Sequence, residues 1–238
     1  ALSPDLPFSA DALPTWQTNA QVWQVAISRG RAVVGGNFSQ IRPGAGQAGA
    51  ARNMRGHPIL NAATGEPDAC QLPVAGGNVY AVKAAPDGNT VFIGGSFTSV
   101  GGTAAARLAE INVATCTVTP FRVSSISSTV LVIETANDAV YFGGLFQTVS
   151  GQTRRSYAKV NRAGVLDTSF VADASGQTQD QYSNTVVPGR NARGTALQLS
   201  PDGTRLAMGG DWFDVNGSAS HSFAVVNSTT GAVLRTWP

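Results

Sequence analysis

Val91-Phe92-Ile93-Gly94-Gly95-Ser96-Phe97 decides how this chain is read, because the pattern returns three times. The other copies are Val33-Val34-Gly35-Gly36-Asn37-Phe38, Val140-Tyr141-Phe142-Gly143-Gly144-Leu145-Phe146 and Leu206-Ala207-Met208-Gly209-Gly210-Asp211-Trp212. Each is a short apolar run, two glycines, one variable residue and an aromatic. An apolar run of this length closed by Gly-Gly fits a strand, since a helix needs a longer period. Paired glycines inside a strand mark close backbone approach or a bulge. The glycine pairs, with Phe38, Phe97, Phe146 and Trp212, are therefore the expected structural residues of a repeat.

The flanks of each copy match as well. Upstream lie Val79-Tyr80-Ala81-Val82-Lys83 with the turn Pro86-Asp87-Gly88, and Ala196-Leu197-Gln198-Leu199 with Pro201-Asp202-Gly203. Arg29-Gly30 and Asn137-Asp138 hold the same turn in copies one and three. Pro presets φ, while Gly, Asn and Asp tolerate left-handed backbone, so these are turns with a mechanism. Downstream, an alternating run ends at Asn112, Asn161 and Asn227, and Gly56 to Asn61 supplies the first copy. A second turn (Thr64-Gly65, Ala163-Gly164, Thr230-Gly231) leads to a last strand ending at Phe121, Phe170 or Trp237. Each unit reads as four antiparallel strands, A to D.

Strand-only units of this length are the mark of an all-β β-propeller, one four-stranded sheet per blade. The glycine pairs lie 59, 49 and 66 residues apart, so loop insertions separate the copies. A parallel β-helix fits less well, because its rungs are shorter and lack three reverse turns per repeat. The expected blades are 22–72, 78–123, 129–171 and 194–238 within one domain spanning 1–238. The run Gly94 to Gly102, followed by an Ala-Arg-Leu strand and an Asn-x-x-Thr/Gly turn, resembles the delta-60 repeats of secreted bacterial, actinobacterial-type surface propellers. The resemblance spans 22–238. It implies a secreted or cell-surface scaffold and brings no catalytic residue with it.

Composition narrows the classes further. Among 238 residues there are 27 Gly and 12 Pro, charged residues are 13%, and the formal net charge is +2. That suits a turn-dense all-β protein, and without a basic stripe nucleic acid is not expected as a partner. The apolar stretches have strand length, so no membrane span is expected. Low charge and the presence of only Lys83 and Lys159 point, with the resemblance, outside the cell. Two cysteines in a secreted chain favour a disulfide, Cys70–Cys116. Yet the repeat register separates them by about five strand residues, roughly 16 Å, which exceeds disulfide reach. The sequence leaves their pairing open.

Ala12-Leu13-Pro14-Thr15-Trp16 resembles Val233-Leu234-Arg235-Thr236-Trp237, so residues 1–21 read as a solitary D-type strand or a strap. Five D-like segments against four A–B–C sets favour about four blades of a larger propeller, completed by another chain or a missing C-terminal segment. The alternative is a four-bladed ring strapped by 1–21. An open ring would expose edge strands, which proteins normally cover, so a partner surface is expected.

Two insertions, 41–57 and 172–193, fall in a B–C and a D–A connection. In an up-and-down blade these emerge on one face, and long loops on a rigid scaffold are where binding sits. Arg42, Arg52, Arg55, Arg154, Arg155, Arg190 and Arg193 would form a basic rim there for an acidic glycan or protein. Asp180, Tyr182, Asp211, Trp212 and Asp214 complete the candidate ligand-binding set, as an aromatic beside polar groups suits a pyranose ring. Gly44 to Gly49 matches Gly-x-Gly-x-x-Gly but follows Pro43 and opens no helix, so it is a loop and no cofactor is implied. His57 and His221 lack further ligands for a metal, and no Gly-x-Ser-x-Gly elbow occurs. The expected function is an extracellular, lectin-like, non-catalytic binding or scaffold module. The competing readings are a polysaccharide-acting enzyme using paired acids, and a structural docking segment of a secreted multi-chain assembly.

Overall fold

The protein is all-β. Its computed structural model describes residues 16–46, 48–176 and 191–236, among which there is no helix. The first sheet runs β1 (Val22–Ser28), β2 (Arg31–Gly36) and β3 (Ile59–Asn61). The second holds β4 (Val79–Ala84), β5 (Thr90–Gly95), β6 (Leu108–Asn112) and β7 (Thr117–Val118). In the third lie β8 (Val130–Thr135), β9 (Ala139–Gly144) and β10 (Tyr157–Asn161). The fourth comprises β11 (Arg193–Leu199), β12 (Arg205–Asp211), β13 (Phe223–Asn227) and β14 (Val233–Thr236). All neighbours are antiparallel and in chain order. The outermost D position shrinks to single bridges, Leu60 to Pro67 and Val160 to Leu166, in the first and third sheets.

The repeated residues each have a physical task. A Cβ on Gly36, Gly95, Gly144 or Gly210 would lie 2.0–2.2 Å from the carbonyl oxygen of Gln21, Asn78, Thr129 or Arg193, the chain entering its own sheet. The first glycine of the pair gives room to the next sheet, since a Cβ on Gly35 or Gly94 would meet Val82 or Val130 at 2.7 or 2.6 Å. The Asn that ends each third strand caps the following turn. Asn61, Asn112, Asn161 and Asn227 each accept two backbone N–H bonds there, at 2.9–3.1 Å.

Successive sheets stack through apolar faces. Val33 and Ile59 of the first sheet pack with Val82, Val91 and Ile93 of the second. Phe92 and Leu108 pack with Ile133 and Phe142 of the third, and Tyr141 and Tyr157 with Met208 and Trp212 of the fourth. The inner strands meet in order, β1 on β4, β4 on β8 and β8 on β11. Among the described residues no contact of similar extent joins the fourth sheet to the first. The described residues of the four sheets thus follow one another in an open arc. Of the N-terminal D-type segment only Trp16 is described.

Cys70 and Cys116 form a disulfide with Cα atoms 5.3 Å apart. The expected 16 Å separation fails because Cys70 lies past the fourth-strand position. There the chain leaving the first sheet crosses the C–D turn of the second. The same crossing recurs without sulfur. Gly164 packs on Arg122 and Gly231 on Val171, where added Cβ atoms would lie 2.0 and 2.1 Å from the carbonyl oxygens.

Candidate functional site

One face of the arc is built from loops that pair with each other. Gln17–Thr18, entering the first sheet, pairs with Gln40–Arg42 of its B–C excursion, which pairs with Arg52–Asn53. Val74–Ala75 pairs in the same way with Ser99–Val100 and that strand with Thr103–Ala104. Ala174–Ser175 joins Asp214–Val215 and Ser218–Ala219, and Ile126 bridges to Val149. D–A and B–C connections therefore lie together in all four units. Phe38, Phe97, Phe146 and Trp212, all fully buried, anchor these small sheets from below.

The first unit gathers three of the candidate arginines. Arg42, Arg52 and Arg55 are exposed on or beside its small sheet. The Arg52 guanidinium lies 5.0 Å from the centre of the buried Trp16 indole, a cation–π contact. Asn19 ties the sheet together by accepting from the Ser39 and Gln40 N–H groups at 3.0 and 3.1 Å. Gln40 donates to the Asn53 side chain at 2.9 Å. Beneath Arg55 a cavity of about 110 Å³ is lined by Asn53, Met54, His57 and Gln71. His57 is buried and neither ring nitrogen has a partner among the described residues. Burial lowers its pKa to about 4, so it is neutral at neutral pH.

Other predicted members fall elsewhere. Arg154 is buried, donating to the carbonyls of Thr153 at 2.7 Å and Thr168 at 3.1 Å, so it clamps the third unit and offers no rim charge. Arg155 and Arg193 are exposed. Trp212 is core, its indole N–H donating to the Tyr157 hydroxyl at 3.1 Å, and it cannot stack on a sugar. Burial raises the Tyr157 phenol well above its usual range, against the Trp212 bond, so it stays protonated. Asp214 accepts from the Ser175 hydroxyl and from Gly217 N–H at 3.1 Å, which makes it a turn residue. Asp211 is half-buried. Asp180, Tyr182 and Arg190 lie outside the described residues. Sequence reasoning weighed His221 only as a metal ligand and missed its partner Phe213, with which it packs edge to face at 4.6 Å. The Trp16–Arg52 pair was also missed, since only strand pairing brings them together.

Asp87 proves to be more than a turn residue. It accepts from Asn89 and Thr90 N–H at 2.7 and 2.9 Å, and Arg162 of the third sheet lies 3.3 Å away. Arg162 also grips the buried Glu110 and lies over the Phe92 ring at 4.7 Å. With Lys83–Glu134 at 2.9 Å, these charges weld sheets together and line no loop-face site.

No family model matches the chain, and no curated protein is similar to it. Among solved structures it is similar to the β-propeller domain of Myceliophteria thermophila Cps50 (Swd1), with a TM-score of 0.52 at 10% identity. The match covers 95% of this chain and 57% of that domain. It is also similar to the computationally designed protein Ika8, with a TM-score of 0.46 at 15% identity, over 91% of this chain and 61% of that one. The chain thus spans less than two thirds of either.

Proposed function

We propose that the protein is a non-catalytic binding or scaffold propeller of the cell exterior, recognising an acidic surface glycan or protein through its paired-loop face. The observation that carries this reading is the first unit. There Arg42, Arg52 and Arg55 project from a hydrogen-bonded platform with an indole beneath one of them. A platform of paired strands holds its arginines with less entropy to lose than free loops would, which favours affinity. The disulfide fits an oxidising compartment. No helix among the described residues is long and apolar enough to cross a membrane. The delta-60 resemblance supports the same location.

The test is a glycan array and a surface-protein pull-down with wild type and an Arg42→Ala/Arg52→Ala/Arg55→Ala variant. Binding to acidic ligands should fall at least tenfold in the variant, and wild-type binding should weaken as salt rises. Equal binding by the two proteins would remove the first unit from the site.

A further inference from the structure

Each internal contact between sheets joins the same two surfaces, the forward face of one sheet and the rear face of the next. The ends of the arc carry one of each. On the rear face of the first sheet, Val22 and Val25 are 44% and 49% exposed, and Ile27 beyond them is 57% exposed. Val79 and Val82 hold the registers of Val22 and Val25 in the second sheet, at 0% and 1%. Val130 and Ile133 hold them in the third, at 0% and 2%. On the forward face of the fourth sheet, Ala207 and Val225 stand where Phe92 and Tyr141, and Ile59, are sealed in earlier sheets. They line a groove of about 620 Å³ with Leu234, which is 49% exposed, between Arg205 and Arg235.

Two of the three interfaces also carry a side-chain bond to the carbonyl that follows a capping Asn. Arg31 of β2 donates to the carbonyl of Val113, the residue after the capping Asn112. The Tyr141 hydroxyl of β9 donates at 2.9 Å to the carbonyl of Ser228, the residue after Asn227. Arg205 holds the register of Arg31 and is exposed in the end groove, while the exposed Ala62 follows Asn61 at the other end.

We propose that a second copy of this chain covers both ends. The fourth sheet of each copy packs on the first sheet of the other, and a two-fold axis closes a ring of eight sheets. The chain carries both halves of the contact, which its own three interfaces show to be complementary. One rotation satisfies both, whereas a rotation that did not close would leave a growing filament. Eight sheets lie within the range of propeller rings. Arg205 of one copy is placed to reach the Ala62 carbonyl of the other. The ring stands whatever the loop face binds.

Light scattering on this chain at tens of micromolar should give twice its 24.5 kDa mass. Ile27→Asp and Leu234→Asp alter exposed positions at opposite ends, so circular dichroism should be unchanged while each variant runs as a monomer. Mixed together, the two retain one intact rear-to-forward contact and should re-form a dimer. A wild-type monomer, a ladder of larger masses, dimeric single variants, or no dimer in the mixture would each overturn the proposal.

Discussion

His57 is the residue at which the first sheet leaves its repeat, for Leu108, Tyr157 and Phe223 hold its register in the others. The unfolded chain takes up a proton near the ordinary histidine value of 6.5, but the buried ring resists until about pH 4. Stability should therefore be greatest above pH 6.5 and fall as the pH drops through that window, by roughly 3 kcal/mol at its foot. His57→Leu should flatten this acid limb in urea titrations between pH 7 and 4, and an unchanged limb would place the titrating group elsewhere. The glycines give a sharper contrast. A Cβ on Gly94 would press on Val130 at 2.6 Å, whereas one on Gly209, in the last sheet, comes no nearer than 3.2 Å to Ala196 and 3.7 Å to the Ser222 carbonyl oxygen. Gly94→Ala should cost about 2 kcal/mol through overpacking and Gly209→Ala under about 1 kcal/mol, read from denaturant midpoints in dilute solution.

Within the elements, strand order and the twin-glycine function were legible because both depend on local pattern and period. Gly-Gly marks close approach whatever lies above it, so the sequence could locate the crowding without identifying the crowded neighbour. The cysteines were not legible, because counting along strands takes no account of a linker that crosses the next sheet's turn. Arg154 misled for a related reason, since composition does not say which way a side chain points, and it folds back from its loop onto carbonyls. Trp212 was read both as the aromatic of its repeat and as a ligand-stacking face, and it fills the core. The disulfide replaces the backbone contacts of Gly164 and Gly231 at the corresponding crossings and closes a loop of 46 residues. Chain entropy assigns such a loop about 4 kcal/mol. A Cys70→Ser/Cys116→Ser variant should lose 2–4 kcal/mol in guanidinium unfolding, and reductant should reproduce that loss in wild type alone. Gly164→Ala should be as damaging as losing the bridge, because it sets a Cβ against a carbonyl at φ +86.

At the scale of the molecule, stability is a sum over sheets and the contacts between neighbours, as in other repeat arrays. The second and third sheets are covered on both faces and cross-linked by Arg162 to Glu110 and Lys83 to Glu134. The first and fourth have one covered face each, and the exposed valines, Ile27 and Leu234 mark the deficit. Hydrogen exchange in dilute solution should therefore be graded. Amides of β8 and β9 should approach the global opening free energy, while those of β11 and β12 exchange faster by an order of magnitude or more. Raising the concentration through the dimerisation range should restore protection in β1, β11 and β12 together and leave β8 and β9 unchanged, since mass action acts only on surfaces that association covers. Protection that is even across the four sheets at every concentration would mean that the arc unfolds as one unit and that its ends are sealed within the single chain.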